Sequence, residues 1–165
     1  MRACVRVLWP PVVIALAACG KAGQPEASAN AEAQPAAAGL TAEQMEKGIG
    51  PVTAVALADD VDDDLAEEGA AIFKVKCSAC HKIGERYIGP DLTGVTERRK
   101  PEYVMNMILN PSEMVQKHPT AKDLLAQFNY TQMADQQLTE AEARKVLEYL
   151  REVTEESKEK QTGNG

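Results

Sequence analysis

Five consecutive residues, Cys77-Ser78-Ala79-Cys80-His81, constrain this 165-residue chain more than any periodicity in it. Cys-x-x-Cys-His is the attachment signature of haem c. Two thiols three positions apart can each add across one vinyl group of a porphyrin. The adjacent imidazole then stands over the ring, where it can ligate the iron. Other readings of the thiols fit less well. A zinc site wants further Cys or His ligands, and the only other histidine is His118. A thioredoxin-like dithiol wants a strand–helix–strand setting, and strand patterns are scarce here. A disulfide across two residues closes too small a loop to stabilise much. The motif therefore predicts one covalent haem c, held by Cys77 and Cys80 with His81 as an iron ligand.

Composition agrees with a domain built around a cofactor. Hydrophobic residues make up 44% of the chain, enough for a core, yet aromatics are only 4%, with one Trp and two Phe. A large flat group would fill what the side chains leave open. Acidic residues outnumber basic ones 25 to 18, a net charge of -7, which argues against a nucleic-acid binder. The densest acidic block, Asp59-Asp60-Val61-Asp62-Asp63-Asp64, reads as a solvated face.

Helical patterns surround the motif. Asp64 with Glu67 reads as a cap opening a helix whose stripe is Leu65, Gly69, Ile72, Phe73 and Lys76. Pro101 suits the first turn of a helix over 102–109, which Asn110-Pro111 ends. Thr120 with Asp123 reads as a capping box for 121–128. Thr139 with Glu142 opens the last helix, with Ala143, Val146, Leu147, Leu150 and Val153 on its buried face. The fold class is all-α: a bundle of short helices around the haem.

The two ends lie outside that bundle. Arg2 and Arg6 precede a largely apolar stretch over 7–18, a signal peptide that is too short and too interrupted by Pro10-Pro11 to span a bilayer well. It ends in Leu16-Ala17-Ala18-Cys19, which resembles the lipobox of bacterial lipoproteins and implies cleavage after residue 18 and acylation of Cys19. Losing Arg2 and Arg6 takes the net charge from -7 to -9. Residues 20–39 contain no Val, Ile, Leu, Met or aromatic residue and read as a tether, roughly 25 Å in rms span and near 70 Å when extended. The globular domain spans 40–155, and 156–165 reads as a disordered tail.

Residues 60–152 resemble class I cytochrome c. The likeness rests on the attachment motif ending a helix with Gly69 and Phe73, on Val146 to Leu150 with Tyr149 near the chain end, and on Ile88-Gly89-Pro90-Asp91-Leu92-Thr93-Gly94, which is similar to the family's G-P-x-L-x-G loop. It implies that the Pro90 carbonyl accepts the N–H of the ligating His81, fixing its tautomer. It also implies a methionine sixth ligand on a loop before the last helix. Met133 holds that position, although Ala134 stands where relatives commonly carry proline. Met105 and Met107 sit in an apolar helix and read as core packing. Met114 and His118 lie on the connecting segment and reach the iron only if it folds over the distal face.

The expected function is outer-sphere, single-electron transfer by a membrane-tethered protein on the periplasmic side of a bacterial envelope. A His/Met-closed iron leaves no vacant position for substrate, which argues against an enzyme such as a peroxidase or gas-reactive haem protein. The alternative is a haem c subunit or sensor of a larger complex. The expected partners are respiratory reductases or oxidases, met by a monomer in small, transient interfaces. The stretches YIGPDLTGVTERRKPEYVMNMILNP and QQLTEAEARKVLEYLR are similar to mono-haem cytochromes encoded beside some nitrous-oxide reductases, which implies that enzyme as a partner. Gly20, in place of an inner-membrane retention Asp, leans the anchor toward an outer membrane.

Overall fold

A computed structural model describes residues 39–163, and every regular element among them is a helix. In order these are α1 (Ala42–Lys47), α2 (Asp63–Lys76), α3 (Val95–Arg98), α4 (Pro101–Leu109), α5 (Pro111–Lys117), α6 (Pro119–Gln127) and α7 (Glu140–Thr162). The signal peptide, Cys19 and nearly all of the tether lie outside the described residues.

The helix ends follow local chemistry, with four departures from expectation. The Asp62 side chain, rather than that of Asp64, accepts from the Leu65 N–H at 3.0 Å, so α2 starts earlier. Asp63 and Asp64 then sit in the first turn, where the helix dipole favours anions. The Thr120–Asp123 box does not form, because Pro119 takes the first turn of α6 and His118 becomes its N-cap. Asn110-Pro111 ends α4 as expected, but Pro111 also opens α5. At the other end, the Thr139–Glu142 box opens α7 as read. That helix continues to Thr162, so residues 156–162 of the stretch expected as a tail are helical, with Lys160 and Glu156 paired one turn apart at 3.1 Å.

The frame is the crossing of α2 with α7. Ala66, Gly69 and Phe73 are the buried positions of α2, while Lys76, assigned to the stripe, is exposed. They meet Ala143, Val146, Leu147 and Leu150, all buried, whereas Val153 is only half-buried. A Cβ on Gly69 would lie 2.0 Å from the Lys145 carbonyl oxygen, so the helices cross at a distance only glycine permits. Beside the crossing, the Phe73 and Tyr149 rings pack with centroids 5.2 Å apart. Val104, Met105 and Ile108 of α4 complete the core.

A strap formed by α1 and residues 48–56 wraps this frame, an element the sequence reading did not anticipate. Buried Asn106 holds it, accepting from the Val52 N–H at 3.0 Å and donating to the Lys47 and Val52 carbonyls, each at 2.9 Å. Farther along, Arg144 donates to the Ala56 carbonyl at 2.8 Å and Arg151 to those of Ala58 and Asp59 at 2.9 and 3.0 Å. Both arginines pair with wholly buried Glu148. The main chain leading into the acidic block is thus tied to α7, while its carboxylates stay exposed.

Candidate functional site

The crossing leaves a largely apolar cavity of about 290 Å³ between α2, α4, α6 and the two long loops. Cys77, Cys80, His81, Pro90 and Met133 all line it, with buried Phe73, Val104 and Leu150 on its wall. Cys77 caps the C-terminal end of α2, and its carbonyl accepts from the N–H groups of Cys80 (3.0 Å) and His81 (2.9 Å). The motif is therefore a tight turn that keeps both thiols and the imidazole at the cavity. Both cysteines are free; Cys77 is half-buried and Cys80 exposed. Burial, with a smaller contribution from nearby Cys80, pushes the Cys77 thiol up to about 11.

His81 is fixed from behind. Its Nδ1–H donates to the Pro90 carbonyl at 3.2 Å, which leaves the lone pair on Nε2. A Cβ on Gly89 would come within 2.5 Å of the His81 ring, so the loop backbone lies directly against the imidazole. Burial lowers the His81 pKa, and the Pro90 hydrogen bond opposes this only in part, so the ring is held neutral, as a metal ligand must be. The loop carrying Pro90 is tied by Asp91, whose Oδ1 accepts from the Gly84 N–H, the Thr93 N–H and the Thr93 hydroxyl at 2.8–2.9 Å. Burial pushes that carboxyl up, but those hydrogen bonds and the Arg98 charge outweigh it, and the net pKa is lowered.

Half-buried Met133 lines the same cavity and also packs against the core. Three other candidate donors are turned elsewhere. Met105 is in the core cluster. Met114 is wholly buried, its Sδ accepting the Ile49 N–H at 3.1 Å. His118, also wholly buried, donates from Nε2 to the Met45 carbonyl at 3.2 Å, which ties it to the strap. Met107 does reach the cavity wall, from α4.

Several cavity residues carry no mark in the sequence, Tyr103 among them. Tyr103 is buried and lines the cavity, its hydroxyl has no partner, and the Arg99 guanidinium lies 5.3 Å from its ring centroid. Its place on the apolar face of α4 reads as packing, and nothing local marks the hydroxyl. An unpaired buried donor asks for a polar group on whatever fills the space. Two thiols, a preset imidazole, a thioether and an apolar slot fit an iron porphyrin attached through sulfur.

Residues 66–154 match the family model for cytochrome c. The chain belongs to the cytochrome c family. It is 34% identical over 68 residues to a cytochrome c-553-like protein of Synechocystis, a match covering 39% of this chain and 65% of that one, just under two thirds of the relative's length. Among solved structures, cytochrome c from Rhodothermus marinus is 46% identical, with a TM-score of 0.66, covering 69% of this chain and 97% of that one. An engineered form of that protein is also 46% identical, at a TM-score of 0.65 over 68% and 97% of the two chains. Membership carries a covalently bound haem c in a single cytochrome domain.

Proposed function

We propose that this cytochrome c is a membrane-tethered, periplasmic electron carrier of a respiratory chain, with Cys77 and Cys80 bonded to the porphyrin and the iron held between His81 and Met133. The supporting observation is the single cavity shared by these four side chains, from which Met105, Met114 and His118 are turned away. Bound haem c supplies a one-electron couple, and a thioether ligand raises its potential. The protein's own part is to preset and exclude. The Pro90 carbonyl holds the His81 proton on Nδ1 and leaves Nε2 as the donor. Gly89 lets the loop close against the ring. The apolar walls from α2, α4 and α7 keep water from the inner face. Were His81 and Met133 both to ligate a bound iron, they would leave no position for oxygen or peroxide, which favours transfer over catalysis.

Cys80 and Ile88 line the cavity and are exposed, Ile88 at 44%, and mark the edge where a redox partner would dock. A respiratory reductase, nitrous-oxide reductase among them, or an oxidase would be that partner, met through a small, transient interface. The anchor rests on Cys19 and the leader pattern. No described helix is long and apolar enough to cross a membrane.

Spectroscopy of the ferric parent beside Met133→Ala and Met107→Leu tests the ligand set. The weak iron–sulfur charge-transfer band should vanish in Met133→Ala with a fall in potential, and persist in Met107→Leu. The reverse pattern reassigns the ligand, and rapid carbon monoxide binding by the reduced parent means an open site. Release of Cys19→Ser from the membrane fraction tests the tether.

A further inference from the structure

The segment that carries Met133 does not hold itself shut. Among the described residues, the non-glycine positions in the left-handed region are Asn129 (φ 53°), Tyr130 (φ 59°) and Gln137 (φ 55°), all within eight residues of one another and on both sides of Met133. Asparagine tolerates that conformation and ends α6 naturally, but tyrosine and glutamine are strained in it. The Tyr130 side chain gains little in return, being 74% exposed. Hydrogen bonds of residues 131–138 are local: the Thr131 N–H to the Phe128 carbonyl, the Gln136 amide to the Ala134 carbonyl and the Gln137 N–H to Asp135. Packing of Met133 and Leu138 on the core is what remains.

One side chain spans from the opposite loop. The Arg86 guanidinium lies 4.0 Å from the Phe128 ring centroid and donates to the Gln127 carbonyl. Arg86 belongs to the loop that runs from His81 to Pro90, and Phe128 and Met133 line the same cavity. Among the described residues no other hydrogen bond joins residues 82–94 to 127–138. The planar guanidinium can stack and donate at once, which a lysine cannot.

We propose that Arg86 is the positioning residue for the sixth ligand: it clamps the end of α6 to the loop supporting His81 and so keeps a strained Met133 segment closed. The inference rests on Met133 being the iron ligand. It means that breaking an exposed contact on the outside of the cavity releases the ligand inside, without loosening the rest of the fold.

The test uses the ferric, haem-loaded protein with imidazole as the competing ligand. Arg86→Ala should bind imidazole about tenfold more readily than the parent, the effect of losing one cation–π contact and one charged hydrogen bond. Arg86→Lys should fall between the two. Tyr130→Asn, which relieves the strained φ, should bind imidazole about two- to fivefold less readily. Amide hydrogens of residues 129–137 should exchange faster in Arg86→Ala, while those at the α2–α7 crossing stay as in the parent. Imidazole binding within twofold of the parent in Arg86→Ala would overturn the clamp, as would equal acceleration of exchange at the crossing. A parent with no iron–sulfur band would instead sink the Met133 reading, and the clamp with it.

Discussion

Substituting Gly69 by alanine probes the frame on which the site is built. A Cβ there would stand 2.0 Å from the Lys145 carbonyl oxygen, 2.5 Å from its carbon and 3.1 Å from the Tyr149 Cβ. Two of these three neighbours are backbone, so no side-chain rotation relieves them. Ordinary contact begins at 3.4 Å, and the helices must part by about 1.4 Å in a close-packed core. Overpacking of side chains costs about 1–3 kcal/mol, and a backbone clash belongs at the upper end of that range. Alanine returns about 1 kcal/mol through its better helix propensity, for a net loss of about 2 kcal/mol. For a domain of this size that lowers Tm by roughly 8 °C. Thermal unfolding of the haem-loaded protein, followed by far-ultraviolet circular dichroism, reads it directly. A glycine-to-alanine change in a solvated helix stabilises. A Gly69→Ala protein as stable as the parent, or more so, would therefore refute the close crossing.

Two further outcomes concern the strap and the His81 loop. Asn106→Ala leaves the Val52 N–H and the Lys47 and Val52 carbonyls without their partner, which should cost about 2–3 kcal/mol and expose residues 48–56 to limited proteolysis before the rest of the domain. Unchanged cleavage there would mean that Asn106 does not hold the strap. Asp91 supplies a pH dependence. Its folded pKa lies below the unfolded value, so its contribution is fully present above about pH 4 and is lost as pH falls through the folded pKa. Urea unfolding between about pH 5 and pH 2 should show a shallower loss of stability in Asp91→Ala than in the parent, and equal slopes would contradict the sign.

The sequence revealed what is local and hid what is long-range. The Thr139–Glu142 box and the Gly69–Phe73 stripe each write their chemistry within a few residues, and the structure keeps both. The start of α2 is ambiguous in the sequence because several aspartates in a row can all cap a helix, and in the fold Asp62 does so. Pro111 looks locally like a break and Pro119 carries no clear signal, although proline at a first turn opens a helix as readily as it ends one. Thr41 and Gln44 form a further capping box, but the helix it opens has only six residues, too few to show a periodic pattern. Nothing local announces that Asn106 reaches 54 residues back to Val52, or that His118 pins the strap instead of facing the iron. The helical continuation to Thr162 also went unread, because its polar run resembles a solvated tail.

The most direct test of the whole scheme is the mass of the proteolytic peptide containing Cys77 to His81, taken from mature protein treated with a thiol alkylating agent. We expect one haem bonded through both sulfurs and no alkylation at Cys77 or Cys80. A bare peptide with both thiols alkylated would contradict it.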